Sequence, residues 1–341
     1  MLTYIKETKM QYDLQEQACW LLLAFESGLS TRIINDIIVA WCRQMGRTLS
    51  DFFAADSLEW ETACQLNAEI IEKLEQARDK LVGLAFLVEQ LEQASIHVLP
   101  ALADDYPVLL KQALKRNATP PVLFYVGDLD ILTRRTIAVI GSRNASEQGL
   151  AFTHAVVQYL AEHDANVISG NARGVDRVAY EAATGTEGCT TVVLPHGIRK
   201  LSGVQIRDLQ PKIEEGRVLV MSQFHPDAPW LVSRAMERNK VVTGLAQVVI
   251  VAESDTKGGT WEGAHSALKQ KRPLYVRQAT SSPALPGNEA LIKLGGQPLL
   301  WPTGDIEAVF APLLAESAAQ QQKQSEQPAR TEQFTLFATE E

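Results

Sequence analysis

The chain has 341 residues, 46% of them hydrophobic and 21% charged, with a formal net charge of −9. That length buries a large core and leaves room for a second domain. No run of about 18 apolar residues occurs, which excludes a membrane-spanning helix, and the opening MLTYIKETKMQYD has no apolar stretch of the secretory kind. Cys19, Cys42, Cys64 and Cys189 lack CxxC spacing, so neither disulfides nor zinc are expected, and a cytoplasmic location is.

In chain order, residues 14–94 read as helical, with apolar residues at helical spacing in LQEQACWLLLAFESGL, STRIINDIIVAWCRQM and AEIIEKLEQARDKLVGLAFLVEQLEQA. Gly28-Leu29-Ser30-Thr31 separates two of these helices, with Ser30 or Thr31 placed to cap the second. A helix-hairpin-helix or SAM-like unit has this form, although the second hairpin glycine is missing; a plain helical packing domain, residues 1–94, fits as well. Residues 95–135 form an extended connector with a Pro-Pro break.

From Thr136 short apolar runs alternate with helical patterns: TIAVIG, ANVISG, TTVVLP, RVLVMSQ, AQVVIVAE and RPLYVR. Runs apolar on both faces, spaced by amphipathic helices, predict a Rossmann-like parallel sheet with helices on both faces over residues 136–311. After about residue 312 the Gln-, Ala-, Ser- and Glu-rich composition predicts a disordered tail, residues 312–341.

In such sheets ligands bind beyond the carboxyl ends of the strands. Three of these turns are glycine-rich. The first holds Gly141, Ser142 and Arg143, with Ser146 placed to cap the following helix and leave its N–H groups to an anion. The second holds Ser169, Gly170, Arg173, Gly174 and Asp176. It reads either as a phosphate cradle or as a tight turn whose arginine pairs with a carboxylate. The third holds Gly258, Gly259 and Thr260, with Thr260 as the expected cap. Glu262, in the next turn, serves the helix dipole or acts as a general acid or base.

Arg234, Arg238, Asn239 and Lys240 form a basic helical segment that follows a nucleic-acid backbone or simply faces solvent. Trp230 and Trp261 are candidates for base stacking or for the core, and His196, alone after its strand, reads as structural. Residues 137–277 carry 16 Lys+Arg against 14 Asp+Glu, so most of the acidity lies elsewhere and a local positive groove is permitted. The motifs of P-loop, dinucleotide-binding and metallohydrolase sites are absent, and no cofactor or metal is expected.

The runs AVIGSRNAS, VISGNARGVDRVAYEAA and ERNKVVTGLAQVVIVAE, with the lead-in IHVLPALADDYPVLLKQ and PPVLFYVGDL, resemble the DprA/Smf DNA-processing family over roughly residues 95–280. The resemblance implies a single-stranded DNA-binding protein, without catalytic activity, that loads a RecA-type recombinase. It places Arg143, Ser169, Gly170, Arg173, Gly174, Arg238, Asn239 and Lys240 in the DNA pocket, and the expected state is a homodimer.

Three departures stand out. The family's Tyr-Pro is missing from HGIRKLSGVQIRDL, KGGTWEGA replaces its SGSL-T stretch, and its C-terminal winged helix is not expected. KGGTWEGA resembles the loop of LOG-type nucleotide-binding proteins, which implies the alternative of a nucleotide-binding sensor or a nucleoside monophosphate phosphoribohydrolase using Arg173 and Glu262. Finally, Gln333, Leu336 and Phe337 of QFTLF resemble the peptide with which bacterial replication proteins dock on the sliding clamp.

Overall fold

A computed structural model describes residues 12–280 and 285–326. They fall into two compact units, one within residues 12–106 and 116–124 and the other within residues 107–115, 125–280 and 285–326. The segment 95–135, expected as one connector, is therefore divided between the two.

The first unit contains α1 (Leu14–Leu21), α2 (Thr31–Ile37), α3 (Leu49–Ala54), α4 (Ser57–Cys64), α5 (Ala68–Arg78), α6 (Leu81–Gln93) and strand β1 (His97–Pro100). Its helix starts are written in the sequence: Asp13, Ser30, Thr48, Asp56 and Asn67 each accept a backbone N–H from the first turn of the helix that follows. Trp20, Trp41, Phe52 and Trp60 are all buried, with Phe52 between Trp41 at 5.2 Å and Trp60, stacked at 5.1 Å between ring centroids. The buried carboxylate of Glu16 accepts from the Trp20 indole at 3.0 Å and from the Leu49 and Ser50 amides at 2.9 and 2.8 Å. Those charge-assisted bonds offset its desolvation.

The chain passes through α7 (Val108–Ala118), broken at Lys115 (φ 53°), and β2 (Val122–Val126). The second unit then alternates β3 (Arg135–Ile140), α8 (Glu147–Glu162), β4 (Ala165–Ser169), α9 (Val175–Thr184), β5 (Cys189–Val193), α10 (Gly203–Glu214), β6 (Val218–Ser222), α11 (Val232–Gly244), β7 (Val248–Val251), α12 (Gly259–Lys269), β8 (Leu274–Ala279), α13 (Pro286–Lys293), β9 (Gln297–Trp301) and α14 (Ile306–Glu326).

Its seven strands lie in the order β6-β5-β4-β3-β7-β8-β9, and the pairs from β6 through β9 are parallel. β4, β5, β6 and β7 are buried at every residue, as their unbroken apolar runs require. The order reverses at β3, whose neighbours are β4 and β7, so the chain leaves β3 and β7 in opposite directions across the sheet, and the carboxyl edge at that point is where such sheets bind ligands.

One expectation fails here. Residues 312–326 belong to α14, whose Phe310, Leu313 and Leu314 join the core with Phe152, Val156 and Val248. Ser317, one turn on, is also buried and donates to Gln247 Oε1 at 2.5 Å. Four inward positions at helical spacing outweigh the polar composition around them. No helix among the described residues is long and apolar enough to cross a membrane. Replacing Leu313 with Ala is expected to cost about 2–5 kcal/mol, read as a lower denaturant midpoint at unchanged slope; an unchanged midpoint would show that α14 does not hold the core.

Candidate functional site

The turns after β3, β4 and β7 are tied to one another by backbone hydrogen bonds. Ser142 N–H donates to Glu253 O at 2.8 Å, and Val175 N–H donates to Ser142 O at 3.3 Å. Packing this close explains two of the glycines. A Cβ on Gly141 would lie 2.4 Å from Val175 Cγ2, and one on Gly174 (φ +85°) would lie 2.4 Å from Ser142 O. Both glycines therefore serve loop-to-loop contact, as well as any ligand approach.

Two adjoining cavities open at this edge. The first, about 320 Å³, is lined by Gly141, Ser142, Arg143, Gly170, Arg238, Asn239, Gly258, Gly259 and Thr260, all expected from sequence, and also by Lys257, Asp176 and Asp255. The second, about 390 Å³, shares Arg143, Gly170, Trp230 and Arg238 and adds Arg173, His196 and Gln205.

Three expected residues lie outside both. Ser169 is buried, with its hydroxyl 3.5 Å from Asp176 O. Gly174 forms the start of α9. Lys240 is exposed on α11, because the cavity side of that helix is the row Ala235, Arg238, Asn239 and Val242.

The three helix starts at this edge are not equivalent. At α8, Ser146 caps Gly149 N–H at 3.2 Å as expected, but Glu253 already occupies the anion position: it accepts Ser146 N–H at 3.0 Å and the Ser146 hydroxyl at 2.5 Å. In the β4 turn, Asp176 accepts Gly170 N–H at 3.2 Å. Burial pushes the Asp176 carboxyl above the usual carboxylate range, against the opposing pull of Arg238, the Gly170 and Ala172 amides and Arg143. At α12 the start is Gly258 (φ +93°), with no side-chain cap, and Thr260 sits inside the helix rather than capping it. Gly258, Gly259 and Thr260 line the first cavity, so the α12 start, which favours negative charge, lies at its wall.

The arginines also divide. Arg238 is only 4% exposed, and its Nη1 donates to Val193 O at 2.6 Å. Its guanidinium fills the place of the missing Gly170 side chain, 1.6 Å from where a Cβ would stand. Burial lowers its pKa and Asp176 counters that. Arg238 is thus a wall of both cavities rather than a free cation. Arg234 is likewise engaged, donating to Pro229 O at 2.6 Å.

Arg143, Arg173 and Lys257 are exposed, with no ion-pair partner among the described residues; Arg173 donates to the Asn144 side chain instead. Lys257 was not singled out from sequence, although its place beside Gly258-Gly259 was the available signal. Trp230, 47% exposed, borders both cavities with Arg143 6.0 Å from its ring centroid, whereas Trp261 packs on His265. Glu262 is exposed and lines neither cavity, so it is not brought together with Arg173.

A doubly wound parallel sheet, with a cation-bearing cleft at its switch point, defines a Rossmann-like ligand-binding protein. Residues 97–309 match the model of the family described as DNA recombination-mediator protein A. The chain belongs to that family. It is 32% identical over 206 residues to Protein Smf of Escherichia coli, covering 60% of this chain and 54% of that one. It is 33% identical over 175 residues to DNA processing protein DprA of Streptococcus pneumoniae, covering 51% and 60%. The matches thus span little more than half the length of these two relatives.

The crystal structure of the S. pneumoniae DprA superposes with a TM-score of 0.62 at 24% identity, covering 88% of this chain and 98% of that one, and supports the fold. The DprA of Helicobacter pylori, whose structure concerns its single-stranded DNA binding mode, gives 0.54 at 25% identity, covering 65% and 96%.

Gly170→Ala is expected to displace Arg238 and cost about 1–3 kcal/mol, with the denaturant midpoint as the measure. A midpoint equal to that of the unaltered chain would mean that Arg238 does not need the space.

Proposed function

We propose that the cleft holds single-stranded DNA and that the chain acts as a recombination mediator, passing the strand to a RecA-type recombinase. The observation that carries this is Trp230, exposed between two cavities and flanked by the unpaired cations Arg143, Arg173 and Lys257. An aromatic face for a base, beside cations for the neighbouring phosphates, is the chemistry that holds single strands. Family membership and the H. pylori relative support the same ligand. The role is binding rather than catalysis. No observation favours the phosphoribohydrolase alternative, since Glu262 stands outside both cavities.

A homodimer and docking on the sliding clamp complete the proposal. Gln333, Leu336 and Phe337 lie outside the described residues, so the clamp rests on their sequence alone. Light scattering of the purified chain tests the dimer, and loss of clamp retention on deleting residues 328–341 tests the tail.

Binding of a labelled oligonucleotide, followed by anisotropy across salt concentrations, tests the cleft. Trp230→Ala is expected to weaken binding by about 1–3 kcal/mol with little change in salt dependence. Arg143→Ala with Lys257→Ala is expected to flatten the log–log salt slope by about 0.7 per lost phosphate contact. Unaltered affinity in both variants would place the DNA elsewhere.

A further inference from the structure

We propose that the second cavity is the seat of a strand phosphate and that His196 is its pH-dependent ligand, donating through Nε2 once the ring is protonated. This rests on the cleft being a DNA site. The two cavities differ in charge. Asp176 and Asp255 line the first only, whereas the second is lined by Arg143, Arg173 and Arg238 and by no carboxylate. Arg143 and Arg173 are exposed, and Arg238, braced on Val193 O, adds its fixed charge to the wall. Guanidinium groups without a competing acid suit a phosphate better than the edge of a base.

Two further side chains that line this cavity have their polarity set by bonds to their own surroundings. Gln205 Oε1 accepts Ser202 N–H at 2.9 Å, so the group Gln205 has left is its amide nitrogen, a donor. His196 is half-buried, with Nδ1 2.9 Å from Gly197 O. A carbonyl only accepts, so Nδ1 carries the ring hydrogen and Nε2 of the neutral ring is a lone pair. Of the side chains that line the second cavity, His196 is the only imidazole, the group whose charge ordinarily changes between about pH 5 and 8. Protonation puts a hydrogen on Nε2, and a phosphate held by Arg143 and Arg173 favours that form. The charges behind His196 are committed elsewhere. Its backbone packs on residues 225–228, through Gly197 N–H to Ala228 O at 2.9 Å and Arg199 N–H to Pro226 O at 3.0 Å. That segment brings Asp227, paired with Arg199 at 3.4 Å, and His225, whose Nδ1 accepts Asp227 N–H at 3.2 Å. From β6 the Ser222 hydroxyl donates to His196 O at 2.8 Å. Between the titration of the free ring and that of the bound ring, the complex holds one proton more than its parts. Affinity therefore rises as pH falls and levels off once the free ring is itself charged.

The experiment follows binding of a labelled oligonucleotide to the full chain by anisotropy, from about pH 8 to about pH 5 at constant salt. The affinity of the unaltered chain is expected to rise about tenfold more than that of His196→Gln, the worth of one charge-assisted hydrogen bond. Its log–log salt slope should also steepen by about 0.7 at the acid end, one further phosphate contact. His225→Gln is expected to keep the full rise. In NMR spectra of the unaltered chain, the His196 ring signal, assigned by its loss in His196→Gln, is expected to titrate at higher pH when the strand is bound. An equal rise in His196→Gln, or a ring midpoint that the strand does not move, would overturn the role of His196 and leave the DNA in the cleft. A midpoint raised by inorganic phosphate and not by the strand would overturn the strand assignment of this cavity in favour of a small phosphate ligand. Failure of the unaltered chain to bind the strand at any pH would overturn the cleft assignment as well.

Discussion

At the switch point of the sheet, Glu253 holds the loops in place. Its carbonyl accepts Ser142 N–H and its carboxylate takes the start of α8, while Arg277, 2% exposed, donates to the same carboxylate at 2.7 Å and to Ala252 O at 2.8 Å. A buried ion pair of this kind is weak evidence for stability, because desolvation consumes most of its attraction. Its value is positional. Removing either partner would leave a buried charge unmatched, so the two switch-point loops cannot drift apart cheaply.

That arrangement also decides which charges remain for a ligand. Of the helix starts at this edge, the α8 start is neutralised by Glu253 and the β4 turn by Asp176, while α12 begins on Gly258 without a side-chain cap. Of the arginines, Arg238 is consumed in bracing the β4 and β5 ends, while Arg143 and Arg173 reach solvent. A chain of net charge −9 can therefore still offer cations at this edge, because Glu253 and Asp176 are engaged internally while Arg143, Arg173 and Lys257 are exposed there beside the single exposed cavity acid Asp255.

Much of this was legible in the sequence because it is local. Unbroken apolar runs identified β3 to β8, and side-chain caps such as Ser30 and Ser146 marked helix starts. Three glycine-rich turns after strands indicated the functional edge, and ten of the marked residues line the two cavities. β9 was missed because its QPLLW is half exposed at the sheet edge, and α14 because its polar composition hid four inward positions.

The sequence by itself determined the alternation of strand and helix, the family motifs and the turns that carry the site, since each is encoded within a few residues. The tertiary structure alone decided which groups are free. Whether Arg238 is a ligand or a wall depends on a gap left by Gly170, 68 positions earlier in the chain. Whether the α8 start binds an anion depends on Glu253, which arrives from another strand. Burial and charge pairing are properties of neighbours in space, and local sequence does not list those neighbours.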